Sequence, residues 1–263
     1  MSASLPMHIA VAGAGGRMGG ELVRLLASDT EQYRLTAAWV DADSRALGQD
    51  VGELAGIGAI GVVCSTTGDT SAAVSAIVDF STVAAMPAVT RAAEVHGAAL
   101  VSGVTGLDEA AQAALADSAR RVPVLHADNF SLGVAVLKEL AILAHARLGN
   151  GFDIEISEAH HRAKRDAPSG TARMLGRALG DDEVRIRSGA REGNEIAYSV
   201  RRGGNVIGEH TVSFLGPHER LELTHRAEDR ALFAAGALAV ASWLAGRRPG
   251  LYRLEDYLSD ADD

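Results

Sequence analysis

The sequence predicts an α/β protein: an N-terminal Rossmann-like, doubly wound parallel sheet followed by a second α+β domain with an open, largely antiparallel sheet. Three observations carry this expectation. Short apolar runs alternate with helically spaced ones from His8 to His126, which is how strands and crossover helices of a parallel sheet read. The first of those runs breaks into a glycine-rich turn, Gly13-Ala14-Gly15-Gly16-Arg17-Met18-Gly19-Gly20. Beyond Gly151 the pattern changes to strand-period alternation, with Phe152, Ile154 and Ile156 interleaved with Asp153, Glu155 and Ser157.

The bulk numbers agree with a globular chain. It has 263 residues, 47% of them hydrophobic and 22% charged, enough to bury a core without staples. A formal charge of −9 argues against a nucleic-acid surface. The single cysteine, Cys64, rules out an internal disulfide framework and suits a reducing compartment. No apolar run approaches the ~18 to 20 residues that span a bilayer, and Met1 to Met7 lacks the basic and apolar regions of a signal peptide. No nucleic-acid or membrane partner is therefore expected, and the compartment read from these features is the cytoplasm.

Taken in order, His8 to Ala12 is a buried strand, and Leu22, Val23, Leu25 and Leu26 begin a helix just beyond the glycine turn. Gly13, Gly16 and Gly19 fit a G-x-x-G-x-x-G variant rather than the standard G-x-G-x-x-G. Such a turn lets backbone N–H groups approach a pyrophosphate, with the helix start adding positive potential. Leu35 to Val40 is the second strand and ends at Asp41, within reach of the ~20-residue offset at which these folds set an acid against the ribose hydroxyls. Asp41 favours NADH by repelling a 2′-phosphate, whereas nearby Arg45 offers that phosphate a partner, so NADH or NADPH both stay open. Strands are expected at Gly61 to Ser65, Ile77 to Phe80, Ala98 to Ser102 and Val122 to His126. Helices are expected around Val89 to Val95 and over Ala110 to Ala119. Gly103-Val104-Thr105-Gly106 follows a strand's carboxyl end, where open α/β sheets bind ligands.

Asn129 to Gly133 reads as a crossover into a second domain over residues 132–231, with the first domain formed by 1–131 and 232–263. A long apolar helix, Val134 to Leu148, opens the second domain. Strands at Glu183 to Ser188, Glu195 to Arg201, Val206 to Leu215 and Arg220 to His225 run without intervening helices, hence the antiparallel expectation. Leu232 to Leu244 is a final apolar helix.

Chemistry concentrates in Glu158 to Thr171, reading Glu-Ala-His-His-Arg-Ala-Lys-Arg-Asp-Ala-Pro-Ser-Gly-Thr. On a strand, His160 and His161 point to opposite faces, so they serve two surfaces rather than one metal. With no HExxH or paired-cysteine pattern either, no metal is expected. Arg162, Lys164 and Arg165 form a small cationic cluster, and the like charges around Lys164 favour release of its proton. Pro168 and Ser169 are helix-start residues. They leave the N–H groups of Gly170 and Thr171, with the Thr171 hydroxyl, as a cradle for a carboxylate or phosphate. An imidazole beside such an anion moves protons near neutral pH, and the nucleotide turn upstream suggests that a hydride moves too.

These residues, with Gly-Ala-Gly-Gly-Arg-Met-Gly, Asp79-Phe80, Asn129-Phe130-Ser131, Gly208-Glu209-His210-Thr211 and the Phe233 to Leu244 helix, closely resemble the 4-hydroxy-tetrahydrodipicolinate reductase (dihydrodipicolinate reductase) family of lysine biosynthesis. The resemblance implies that Gly13, Ala14, Gly15, Gly16, Arg17 and Met18 hold the dinucleotide. Gly103, Val104, Thr105, Ala127, Asp128, Asn129 and Phe130 would line the nicotinamide side. It makes His160 a catalytic proton donor or acceptor and Lys164 the proton donor, and it gives the substrate carboxylates to His161, Gly170 and Thr171. It further implies a small dicarboxylate substrate and a homotetramer built through the second domain. Two departures from the family pattern, Ser81-Thr82-Val83 after Asp-Phe and Val40-Asp41-Ala42 after the second strand, weigh against an NADPH preference.

Overall fold

The computed structural model of the chain describes residues 5–181, 186 and 195–260. Alternating strands and helices build the first part: β1 (Met7–Ala12), α1 (Arg17–Ser28), β2 (Tyr33–Val40), α2 (Val51–Leu54), β3 (Cys64–Thr66), β4 (Ala76–Asp79), α3 (Met86–His96), β5 (Ala99–Ser102), α4 (Glu109–Ser118) and β6 (Pro123–His126). There follow α5 (Leu132–Leu148), β7 (Asp153–His160), α6 (Gly170–Ala178), β8 (Ala197–Arg202), β9 (Gly208–Leu215) and β10 (Arg220–Ala227), then α7 (Ala231–Leu244), β11 (Gly250–Tyr252) and α8 (Leu254–Asp260). The chain divides into two units, one of Met1–Phe130 with Ala231–Asp263 and the other of Ser131–Arg230.

The first unit holds a seven-stranded sheet in the order β11-β6-β5-β4-β1-β2-β3. Every pairing in it is parallel, as the doubly wound expectation requires. β4 and β5 are buried along their whole length, which is why they read as continuous apolar runs rather than alternating ones. On α1, Gly19, Leu22, Val23 and Leu26 make the buried stripe, and α7 packs on α1 and against β4 and β5. Successive strands leave β1 in both directions, β2 and β3 to one side and β4 to the other. The carboxyl ends of β1 and β4 thus flank a topological switch point, where such sheets receive ligands.

Three features of this unit depart from expectation. β3 is shorter and later than Gly61 to Ser65, because Ile60 and Gly61 turn their N–H groups onto the Asp50 carboxylate instead of a strand partner. β11 extends the sheet beyond β6 and α8 closes the described chain, although no element was expected after Leu244.

The second unit carries a four-stranded sheet in the order β10-β9-β7-β8. β7 and β10 each run antiparallel to β9, but β8 runs parallel to β7. The reason is α6, which sits between β7 and β8 and returns the chain to the same end of the sheet, as a crossover helix does. The strand expected at Glu183 to Ser188 falls outside the described residues except for Ile186, which bridges Tyr198 in parallel. Ile154, Ile156, Tyr198, Val212 and Phe214 bury one face of the sheet against α5 and α6. The other face is polar, with Ser199 Oγ donating to Glu155 at 2.6 Å and Thr211 bonded to Thr224 at 3.0 Å. No helix among the described residues is long and apolar enough to cross a membrane.

Candidate active site

Gly13 follows β1 with φ +76°, a left-handed conformation that favours glycine. A Cβ there would lie 2.5 Å from the Phe80 carbonyl oxygen, and one at Gly19 would overlap the backbone of Gly13 and Ala14. These two glycines are demanded by the turn itself. Gly16 donates its N–H to the Gly13 carbonyl at 2.9 Å and forms the N-cap of α1, with no side-chain capping bond. Ala14 is buried beneath the turn, Met18 is half-buried, and Gly15, Gly16 and Arg17 are exposed. An exposed helix start framed by glycines fits a pyrophosphate, and Asp41 stands exposed one residue past β2.

The next strand ends are pinned by Asp79, which is fully buried. Its carboxylate accepts from Ser81 N–H at 2.9 Å, Ser81 O–H at 2.5 Å and Ser102 O–H at 3.0 Å. Burial pushes this carboxyl up, and the bonds from Ser81 and Ser102 only partly oppose it. Gly103 donates to the Asp79 carbonyl at 2.8 Å, and a Cβ on it would overlap the Phe80 ring. Phe80 in turn meets Phe130 edge to face at 5.9 Å. The carboxyl edge of the first unit therefore brings together the glycine turn, Gly103 to Thr105 and Ala127 to Phe130. Within these segments Val104 and Phe130 are buried, Gly103, Ala127 and Asn129 half-buried, and Thr105 and Asp128 exposed.

In the second unit the alternation along β7 carries Ile154, Ile156, Glu158 and His160 onto one face, apolar at first and ionic at the end. Register places His210 opposite Glu158 and Arg202 opposite His160. Glu158 and His160 are buried, 1% and 8% exposed. The Glu158 carboxylate accepts from Arg202 Nη2 at 2.9 Å, Arg202 Nη1 at 3.1 Å, Ser169 N–H at 3.0 Å and His160 Nδ1. Burial would raise its carboxyl, but the bonds from His160, Arg202 and Ser169 outweigh that and hold it at about 2. His210 Nε2 is bonded to Ser169 Oγ at 3.1 Å. Burial, then the charge of His160, pushes the His210 imidazole down to about 3, so the ring is neutral at neutral pH. Glu158, His160 and His210 offer ligand atoms within 4.8 Å of one another. The carboxylate of that trio already receives four donors, two of them from one guanidinium, which makes the set a poor metal chelate.

His161 lies just past β7 and its carbonyl accepts the Lys164 N–H at 3.1 Å. Lys164 Nζ sits 2.9 Å from Asp166 Oδ2, which corrects the expectation that like charges dominate around the lysine: its direct partner is a carboxylate two residues on. Burial would raise the Asp166 carboxyl, and the Lys164 hydrogen bond and charge reverse that shift. Ser169 is the N-cap of α6, its Oγ accepting the Ala172 N–H at 3.2 Å. Gly170 is exposed and a Cβ on it would meet nothing within 4 Å, so neither packing nor backbone conformation demands glycine there. Arg202 and His210 were not assigned a role from sequence. Extending the period-2 pattern past Ile156 would have placed Glu158 and His160 on the buried face and pointed to a need for such partners.

Residues 7–130 match the family described as "Dihydrodipicolinate reductase, N-terminus", and residues 133–258 match "Dihydrodipicolinate reductase, C-terminus". A 4-hydroxy-tetrahydrodipicolinate reductase of Alkalilimnicola ehrlichii is 43% identical over 95% of this chain and 98% of its own. The chain belongs to the dihydrodipicolinate reductase family. A second family member, from Rhodopseudomonas palustris and of the same name, is 44% identical over 97% of this chain and 98% of its own. Among solved structures, a dipicolinate-bound dihydrodipicolinate reductase from Paenisporosarcina sp. TG-14 superposes with a TM-score of 0.75 at 22% identity, covering 94% of this chain and 97% of that one. An amine dehydrogenase from Mycobacterium smegmatis shares the fold with a TM-score of 0.63 at 13% identity, covering 95% of each chain. The first unit of this family member is thus a Rossmann-like fold of the nicotinamide-dinucleotide-binding kind.

Proposed function

We propose that this chain catalyses reduction of 4-hydroxy-tetrahydrodipicolinate to tetrahydrodipicolinate, with loss of water, in the diaminopimelate route of lysine biosynthesis. The observation that carries this reading is the folding of Glu158 to Thr171 in a member of this family. It gathers an imidazole, an ammonium and a helix start around one end of β7.

NADH or NADPH would be held by the turn Gly13 to Met18, with Gly103 to Thr105 and Ala127 to Phe130 toward the nicotinamide. When bound, the dinucleotide supplies the hydride. Lys164 donates the accompanying proton, and His160 donates or accepts protons at Nε2, since its Nδ1 is committed to Glu158. His161, Gly170 and Thr171 hold the substrate carboxylates. The unexplained glycine at 170 supports that assignment, because the missing side chain serves only the space outside the helix start. Asp41 inclines the chain to NADH by repelling a 2′-phosphate.

Copies of the chain are proposed to assemble as a homotetramer through the second unit. The support is an apolar stripe of Val136, Leu140 and Leu143, 42%, 46% and 52% exposed, on the face of α5 away from its own core. A buried, unpaired Cys64 agrees with a cytoplasmic setting. Purified protein given the aldolase product of pyruvate and aspartate semialdehyde should oxidise NADH or NADPH. No oxidation above background with either nucleotide would exclude the activity.

A further inference from the structure

We propose that Glu158 and Arg202 form a clamp that sets the mutual position of the His160 ring, the turn carrying Lys164 and the start of α6. The inference rests on the assignment of proton transfer to His160 and Lys164.

The clamp is visible as a chain of bonds leaving one buried carboxylate. Oε1 of Glu158 takes the Ser169 N–H at 3.0 Å and so fixes the N-cap of α6. Both oxygens take the Arg202 fork, at 2.9 and 3.1 Å. The same Arg202 Nη2 reaches on to the Asp166 carbonyl at 2.6 Å, and Asp166 Oδ2 holds Lys164 Nζ at 2.9 Å. One guanidinium thereby ties the histidine's partner to the backbone of the lysine's turn. A bidentate arginine suits this task because its planar fork fixes direction as well as distance.

The carboxylate also decides which ring nitrogen of His160 works. Ionised, it only accepts, so Nδ1 must carry a proton and Nε2 is the atom at which protons come and go. On the Nε2 side a Cβ at Gly208 would come within 3.2 Å, so glycine keeps that side clear. The ring lines a cavity of about 310 Å³ with Arg201, Arg202, Gly203, Gly204 and Glu209, so Arg202 reaches the cavity wall while Glu158 stays behind it. His210 lies edge to face against it at 5.1 Å and hinders its rotation.

Stability alone does not account for the pair. Buried ion pairs repay their desolvation poorly, and apolar replacements of similar volume often serve a fold as well or better. An ionic end to an otherwise apolar sheet face calls for another reason, and alignment of three separate segments supplies one.

The test uses the full chain with Glu158→Gln and Arg202→Lys, each close to its parent in volume. Steady-state rates are measured at varied NADH and substrate, and the tautomer of His160 is read from imidazole 15N shifts. The clamp predicts that Glu158→Gln lowers kcat about 100-fold and Arg202→Lys about 10-fold, with KM for NADH little changed, as expected when supporting groups slip by about an ångström. It predicts a neutral His160 protonated on Nδ1 in the parent and a tautomer mixture in Glu158→Gln. Added to Lys164→Ala and His160→Ala together, Glu158→Gln should cost little more. Near-parental kcat in both single variants, a change confined to the NADH KM, or a parental ring protonated on Nε2 would overturn it. Should Glu158→Gln not fold, the parental spectrum and Arg202→Lys decide. An inactive parent would instead strike at the assigned reaction, while the tautomer would still report on the clamp.

Discussion

Acid should destabilise this protein first through His210. The ring is 4% exposed, faces Glu158 across β7 and β9, and is held down to about 3 by burial and then by the charge of His160, against 6.5 for a free imidazole. Because the folded value is the lower one, the unfolded chain binds more protons between 6.5 and about 3. The contribution of the neutral ring is complete above 6.5 and falls by about 1.4 kcal/mol for each pH unit below it. Between about pH 7.5 and about pH 5 the loss is about 2 kcal/mol. Glu158 acts in the same direction but later. Its carboxyl is lowered from 4.5 to about 2, so its share is present above 4.5 and disappears only as pH falls toward 2. The window above pH 5 therefore excludes Glu158, and His225, whose imidazole burial also pushes down, titrates alike in parent and variant and cancels in their difference. Urea unfolding of the parent and of His210→Asn, which keeps a polar group without the titration, measures the difference. The parent should lose about 2 kcal/mol more than the variant across that window. Parallel pH dependence in the two proteins would refute the reasoning.

Other consequences follow from single residues. A Cβ at Gly176 would overlap the hydroxyl of Tyr198, which donates to Asp181 at 2.8 Å. Gly176→Ala should therefore cost about 2 to 3 kcal/mol in denaturant unfolding, and adding Tyr198→Phe should recover part of that loss. Thr171→Val removes a hydroxyl from the proposed carboxylate cradle and should raise the substrate KM by about 10-fold, with kcat less affected, in steady-state assays. Asp41→Asn should shift the ratio of kcat/KM for NADPH over NADH upward by about 10-fold, because it removes a charge that opposes the 2′-phosphate.

The first unit was legible because its signals are local. Gly13, Gly16 and Gly19 stand within one turn, and the apolar runs of β1, β4 and β5 need no partner to be recognised. β11 was not, since three residues, Gly250–Tyr252, carry no period. In the second unit the strands were readable one by one, but the direction of β8 depended on taking α6 as a crossover, which follows only once β7 and β8 are known to pair. The stretch Glu158 to Thr171 was legible in its residue types and not in its bonding. Lys164 looked like a member of a cationic cluster until Asp166 was seen against it, and Arg202 lies 44 residues from Glu158 in sequence and in bonding distance in the fold. Such partners are set by strand register, which no local pattern contains.

The central claim is that a chain with a dinucleotide turn in one unit reduces its substrate with a proton delivered by Lys164 in the other. The most direct test is NADH oxidation by Lys164→Ala beside the parent, with both substrates varied. We expect kcat to fall about 100-fold or more while the affinity for NADH stays at the parental value. Unchanged turnover, or a loss confined to NADH binding, would contradict the claim.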